Sequence, residues 1–213
     1  GQDWEKIEQL DADLSGFTAL CSSLSSSQIA SISLRKCYLG PQALALLTDA
    51  IKVMAVVARV VLSGNMITNG DKDLSGLTAL CEALPAAKNL TAIDFSSCGI
   101  EVKGVNEIAK AVSAGAALTR TCLLNNPLGE GVNEIIKVFE ETPRLRTLCG
   151  FEEGVQQIDW KDSGKGVADV ALLSAELKAC RAAAALNAIV LDECVITGTK
   201  FNFKGTSFET IEQ

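Results

Sequence analysis

Apolar residues recur along this chain in one spaced pattern, L-x-x-L-x-L-x-x-(N/C)-x-L, where L stands for any apolar residue. The pattern falls at Ile29, Ile32, Leu34, Cys37 and Leu39, and again at Val57, Val60, Leu62, Asn65 and Ile67. Further copies lie at Leu90, Ile93, Phe95, Cys98 and Ile100, at Leu118, Thr121, Leu123, Asn126 and Leu128, and at Leu186, Ile189, Leu191, Cys194 and Ile196. A weaker copy runs through Val155, Ile158, Trp160 and Ser163. Positions 37, 65, 98, 126, 163 and 194 stand 28, 33, 28, 37 and 31 residues apart, a base period of 28 with insertions placed at 68–73 and 148–156. A longer echo overlies the period: Asp13 to Leu24 returns as Asp73 to Leu84, identical at nine of twelve positions.

Within each copy, apolar residues two apart, such as Ile32 and Leu34, predict one face of a short strand, and the alternate residues point the other way. Helices are predicted over Pro41 to Met54, Ser75 to Leu84, Gly104 to Ala114, Gly131 to Glu140 and Gly166 to Ala184. There apolar residues such as Leu44, Leu47, Ile51 and Met54 fall three or four apart. Pro41 suits a first helical turn. Each unit thus reads strand, turn, helix, return, with Ile32, Val60, Ile93 and Ile189 expected side by side on neighbouring parallel strands. A rival register for the fifth copy, through Leu145 and Leu148, is set aside. It puts Gly150 in a core strand position and Glu153 on the ladder, and leaves thirteen residues before the helix at Gly166. Aligning the longer echo backward sets Glu5 opposite Asn65 and Ile7 opposite Ile67, so the chain is read as starting just past a strand. The expected organisation is one domain: a partial first repeat over 1–28, six repeats over 29–197 and a C-terminal cap or tail over 198–213.

Composition narrows the function. A hydrophobic content of 48% is enough for a core, yet the apolar run from Val53 to Leu62 is broken by Arg59, so no membrane insertion is expected. With 19 Lys and Arg against 26 Asp and Glu, a net charge of −7 opposes a phosphate backbone, and nucleic acid is not expected as a partner. No basic and then apolar leader is visible at the start. Cys21, Cys37, Cys81, Cys98, Cys122, Cys149, Cys180 and Cys194 show no Cys-x-x-Cys spacing, and the chain has no histidine, so neither a metal site nor another cofactor is expected. The cysteines read as small buried hydrophobes in a reducing intracellular compartment, the cytoplasm first, with an organelle or cilium open.

The alternation of Cys and Asn on the ladder (Cys37, Asn65, Cys98, Asn126) with a 28-residue period resembles the ribonuclease-inhibitor class of leucine-rich repeats. That class includes the ribonuclease inhibitor, the sensor ends of NOD-like receptors and the activator of the Ran GTPase. The resemblance implies an α/β, right-handed leucine-rich-repeat solenoid, a horseshoe segment with parallel strands on the concave face and helices on the convex face. Strands about 4.8 Å apart joined to helices about 8 to 10 Å apart force such curvature. Ladder Asn side chains are expected to satisfy turn backbone, with Cys as a compact weak donor in the same slot. Ser163 on the ladder and Thr121 in a strand core depart from the pattern.

The expected binding surface is the hollow of the sheet. The register places there Ser31, Ser33, Arg35 and Lys36; Arg59, Val61 and Ser63; Ala92, Asp94 and Ser96; Arg120, Cys122, Leu124 and Asn125; Gln157, Asp159, Lys161 and Asp162; and Val190, Asp192 and Glu193. Its basic residues (Arg35, Lys36, Arg59) gather toward the N-terminal end and its acidic ones (Asp159, Asp162, Asp192, Glu193) toward the other. A partner of opposite polarity is expected. Phe201, Phe203 and Phe208 follow the last repeat, and Lys200 to Lys204 alternates like a strand that could cover the open sheet edge or dock a partner. Without histidine there is no Ser-His-Asp or Cys-His arrangement, and no small-molecule substrate is expected. Residues 163–166 (Ser-Gly-Lys-Gly) lack phosphate-loop spacing, and the Asn89-Leu-Thr91 sequon enters a strand. The reading is a non-enzymatic interaction scaffold, an accessory or structural subunit whose partners are other protein subunits. The alternative is a regulator of a small GTPase or a ligand-sensing module.

Overall fold

The computed structural model describes residues 7–199, 202–204 and 207–209. In chain order the elements are α1 (Ser15–Leu24), β1 (Ser31–Ser33), α2 (Pro41–Val53), β2 (Arg59–Val61), α3 (Ser75–Ala83), β3 (Ala92–Asp94), α4 (Val102–Ser113), β4 (Arg120–Cys122) and α5 (Gly131–Glu141). β5 (Gln157–Asp159), α6 (Val167–Ala179), a 3-10 turn (Ala182–Ala185), β6 (Ala188–Val190), β7 (Asn202–Lys204) and β8 (Ser207–Glu209) follow. β1 to β4 form a parallel sheet in sequence order, with Ile32, Val60, Ile93 and Thr121 in one transverse row. These residues are buried, and with Leu44, Leu77, Ile108 and Ile135 from the helices they build the core between the strands and helices.

The two-repeat period is visible in the hydrogen bonds. Asn65 Oδ1 accepts from the amides of Cys37 and Leu39, each at 3.0 Å, and its Nδ2 donates to the carbonyls of Leu34 and Leu62. Asn126 repeats every bond two units later, on Cys98, Ile100, Phe95 and Leu123. One amide side chain therefore satisfies two donors and two acceptors in a turn where neither helix nor sheet can reach them. Cysteine fills the alternate slot: Cys98 Sγ donates to Leu62 O at 3.2 Å and Cys194 Sγ to Trp160 O at 3.1 Å. Two of the cysteines expected to be buried, Cys37 and Cys180, are exposed. Cys37 lies on the first described strand unit, with no earlier carbonyl to receive its thiol, and Cys180 sits where α6 ends.

Helix starts alternate with the same period. Asp11 and Asp71, both in the left-handed region at φ 54°, cap the helix of the next unit. Asp11 accepts from the amides of Gly40, Gln42 and Ala43, and Asp71 from those of Glu101 and Gly104. The Asp71 cap explains why α4 begins at Val102, two residues before the expected Gly104. Where helices press closest, a side chain would not fit: a Cβ on Gly76 would lie 2.1 Å from the Pro41 carbonyl oxygen.

The regular array stops sooner than expected. Beyond β4 the chain at Leu145 to Cys149 takes the next strand position, in the register that the sequence reading set aside. Arg146 N donates to Thr119 O at 2.7 Å, Thr121 N to Thr147 O at 3.1 Å and Leu123 N to Leu148 O at 2.9 Å. Leu145 and Leu148 are fully buried. Gly150 then turns away at φ 77°, against Cys122, where a Cβ would come within 2.9 Å of the Cys122 Cβ. β5 does form, but it pairs with β6 in a separate two-stranded parallel sheet, matching Ile158 to Ile189. Ile189 is therefore not in one row with Ile32, Val60 and Ile93, and it is exposed.

The helix expected over Gly166 to Ala184 ends at Ala179, because Cys180 turns left-handed at φ 50°, and a 3-10 turn follows. β7 and β8 pair with each other, antiparallel and with Phe203 opposite Phe208, rather than adding to the edge of β6. Phe201 lies outside the described residues.

Candidate protein-binding face

The strand side of the four-stranded sheet carries two outward rows. Ser31, Arg59, Ala92 and Arg120 are matched across the strands in one row, and Ser33, Val61, Asp94 and Cys122 in the next. Ser31, Ser33, Arg35, Lys36 and Arg59 are exposed, and Asp94, Ser96 and Arg120 are half-buried. Arg35 reaches Asp94 at 3.9 Å, and Asp94 also accepts from Ser96 through amide and hydroxyl.

Three residues expected in the hollow are buried instead: Val61, Ser63 and Leu124. For Leu124 the cause is adjacent. Asn125 N donates to Asp169 Oδ1 at 2.7 Å and Asn125 Oδ1 accepts from Lys165 Nζ at 2.9 Å, which draws the start of α6 against this end of β4. Leu124 is core, not contact surface.

The remaining expected residues are divided from these by the break after Cys149. Gln157, Asp159, Lys161, Asp162, Asp192 and Glu193 are exposed beside the β5–β6 sheet. Asp162 and Glu193 lie close enough to hydrogen-bond. That bond and the Asp162 charge lift the Glu193 carboxyl above its usual range, with Asp192 adding to it. The acidic end thus sits on a different sheet from the basic rows.

The sequence reading missed two groups of residues. Arg146 chelates Glu153 at 2.9 and 3.3 Å, and Arg120 pairs with Glu152 while donating to Gly150 O at 3.2 Å. A small depression of ≈ 90 Å³ lies beside these pairs, lined by Arg59, Ala92, Asp94, Arg120, Cys122 and Gly150 among others. The second group closes the sheet edge. Glu176 Oε1 accepts from Thr147 Oγ1, Leu148 N and Cys149 N, each at 2.6 Å, while Oε2 is buried without a partner. Burial pushes the Glu176 carboxyl above its ordinary range, against the pull of those donors. The signal for both groups was the register through Leu145 and Leu148.

Elsewhere, a groove of ≈ 730 Å³ runs between α4 and α5, and another of ≈ 640 Å³ lies between the starts of α5 and α6. Among the described residues no three His, Cys, Asp or Glu side chains gather as a metal site, and no helix is long and apolar enough to cross a membrane.

No protein-family model matches this chain, and no curated protein matches it. Among solved structures, leiomodin-1 actin-binding site 2 aligns with a TM-score of 0.55 at 17% identity, covering 78% of this chain and 88% of that one. The fold is leucine-rich-repeat-like. At 17% identity the likeness speaks for the architecture of short parallel strands alternating with helices. The bonds of Asn65 and Asn126 give that architecture its physical basis in this chain.

Proposed function

We propose that this chain is a non-enzymatic protein–protein interaction module of the ribonuclease-inhibitor-like leucine-rich-repeat type, serving as an accessory or structural subunit of a larger intracellular assembly. In this reading the array is a right-handed segment with its strands on the concave side, and that side meets the partner through Arg35, Lys36, Arg59, Asp94, Arg120 and Asn125. Lys161 and the acidic Asp159, Asp162, Asp192 and Glu193 form a second contact zone. The observation that carries the reading is the exposed polar row Ser31, Arg59 and Arg120, held at one level on a sheet whose opposite face is buried core.

Two further observations support it. The neighbour of like architecture is named for binding actin, a protein. The buried reactive groups are also poorly placed for chemistry. Burial pushes the thiols of Cys81, Cys98 and Cys122 up to about 12, which leaves almost no thiolate near neutrality.

Photo-crosslinking side chains placed at Arg59 and, as a control, at Lys110 on the outer surface of α4 test the reading in extract from the source cells. A protein adduct that forms from position 59 and not from 110 is expected. Adducts from neither position, or equally from both, would end the proposal.

A further inference from the structure

The loop from Gly150 to Gly154 carries two glutamates onto the arginines of the strand side, between two glycines in the left-handed region at φ 77° and 79°. Half-buried Phe151 anchors it, with its ring 6.5 Å from that of Trp160 and its amide on Thr147 Oγ1. The tip is solvent-facing, with the Glu152 and Glu153 side chains 72% and 61% exposed. Exposed pairs of this kind are screened and weak, so a competing carboxylate displaces them at little cost. Arg59, exposed on the same row as Arg120 and one strand beyond Ala92, has no hydrogen bond or ion pair among the described residues, although its charge reaches Glu152. A chain of net charge −7 thus keeps a local cluster of three arginines and covers part of it with its own acid.

We propose that Glu152 and Glu153 are built-in stand-ins for a ligand, and that this face takes an acidic, extended segment of a partner protein whose carboxylates bind Arg59, Arg120 and Arg146 in their place. The proposal rests on the protein-binding reading above and adds the chemistry of the partner. Small Ala92 between Arg59 and Arg120 leaves room for a backbone to cross the strands, and neighbouring carboxylates about 7 Å apart on one side of an extended peptide match arginines one or two strands apart.

The test is fluorescence anisotropy with a labelled hexaglutamate peptide, with hexalysine and an oligothymidylate of equal length as comparisons, on protein checked for native circular dichroism. Hexaglutamate is expected to bind and hexalysine not. Binding should weaken as salt rises from about 0.05 to 0.3 M. Relieving the stand-ins with E152Q/E153Q should tighten it by roughly fivefold, and R59E, which breaks no bond of the fold, should weaken it by about tenfold or more.

The proposal is overturned if hexaglutamate fails to bind even the E152Q/E153Q protein, if R59E leaves binding unchanged, or if the oligothymidylate binds as well with the same dependence on Arg59. It is equally overturned if sedimentation shows that R59E abolishes self-association driven by the acidic end of a second copy. A crosslink from position 59 together with any of these results would leave the interaction reading standing and remove only the acidic partner.

Discussion

Residues 7–145 and residues 146–199 solve one problem in two ways. In the first region each strand's amides are met by the next strand and each turn by a ladder Asn or Cys, so a unit is complete only when its neighbour is present. In the second region no strand follows Leu145 to Cys149, yet its amides are not left to water. Asp169 and Glu176, seven residues apart on α6, supply carboxylate oxygens to Asn125 N, Leu148 N and Cys149 N, and Ala182 N meets Arg146 O at 3.4 Å. A helix with two acids thus replaces a strand. The difference teaches that sheet edges can be closed by side chains, but only by burying charge. The ladder uses neutral amides for the same purpose and avoids that cost.

The largest effect should come from the ladder. Asn126→Ala would orphan the amides of Cys98 and Ile100 and the carbonyls of Phe95 and Leu123 at once, and should cost about 4 kcal/mol in urea unfolding. A loss below ~1 kcal/mol would mean that water reaches these groups and that the two regions do not differ as described. Glu176→Ala removes three donors' acceptor on the other side of the comparison. It should cost somewhat less, about 3 kcal/mol, because it also removes a buried charge. Hydrogen exchange sharpens the contrast: the amides of Leu148 and Cys149 should lose protection, while those of Val60 and Ile93 keep theirs.

The first region was legible because its forces are local and periodic. Ile93, Phe95, Cys98 and Ile100 announce a strand and its turn by spacing alone, and the repetition at Leu118 to Leu128 confirms the register. The break was not legible for a specific reason. Leu145, Thr147 and Leu148 satisfy only half the pattern, and Gly150 and Glu153 violate the rest, because the strand there has no turn of its own to build. Leu124 shows the same limit at the candidate site. Its alternation places it outward, and only the docking of α6 through Asp169 and Lys165 buries it. Glu176, midway along a helix before Leu177 and Lys178, reads as a solvent-facing residue, and nothing in its neighbours announces three buried donors. By contrast, Arg35, Lys36 and Arg59 were read correctly as exposed, since alternation on a paired strand fixes them.

Thr121 marks where the two regions meet, and changing it should have a smaller effect of opposite sign. It holds the row position of Ile32, Val60 and Ile93, and its Oγ1 is buried without a partner. Thr121→Val keeps the shape and removes the unsatisfied hydroxyl, so it should stabilise the protein by about 1 kcal/mol. A destabilised variant would show that this hydroxyl bonds to a group or water that the sheet needs.

The smallest effect separates the regions by pH. Asp13 and Asp73, each accepting from a serine two residues on, have carboxyls held below 3.8 by those bonds. Their contribution to stability is present above 3.8 and is lost as pH falls through their depressed values. Glu176 has the opposite sign. Burial raises its folded value above 4.5, so the proton it takes up favours the folded state. That contribution is complete below 4.5 and fades as pH rises through the raised value. Glu176→Gln, which keeps the acceptor at Oε1 and cannot ionise, should therefore remove the gain in melting temperature that the parent shows on acidification from neutrality toward 4.5, while leaving the fall below 3.8 in place. If both proteins gave parallel curves above 4.5, the carboxyl at the sheet edge would not titrate with folding. The second region would then close its edge as cheaply as the first.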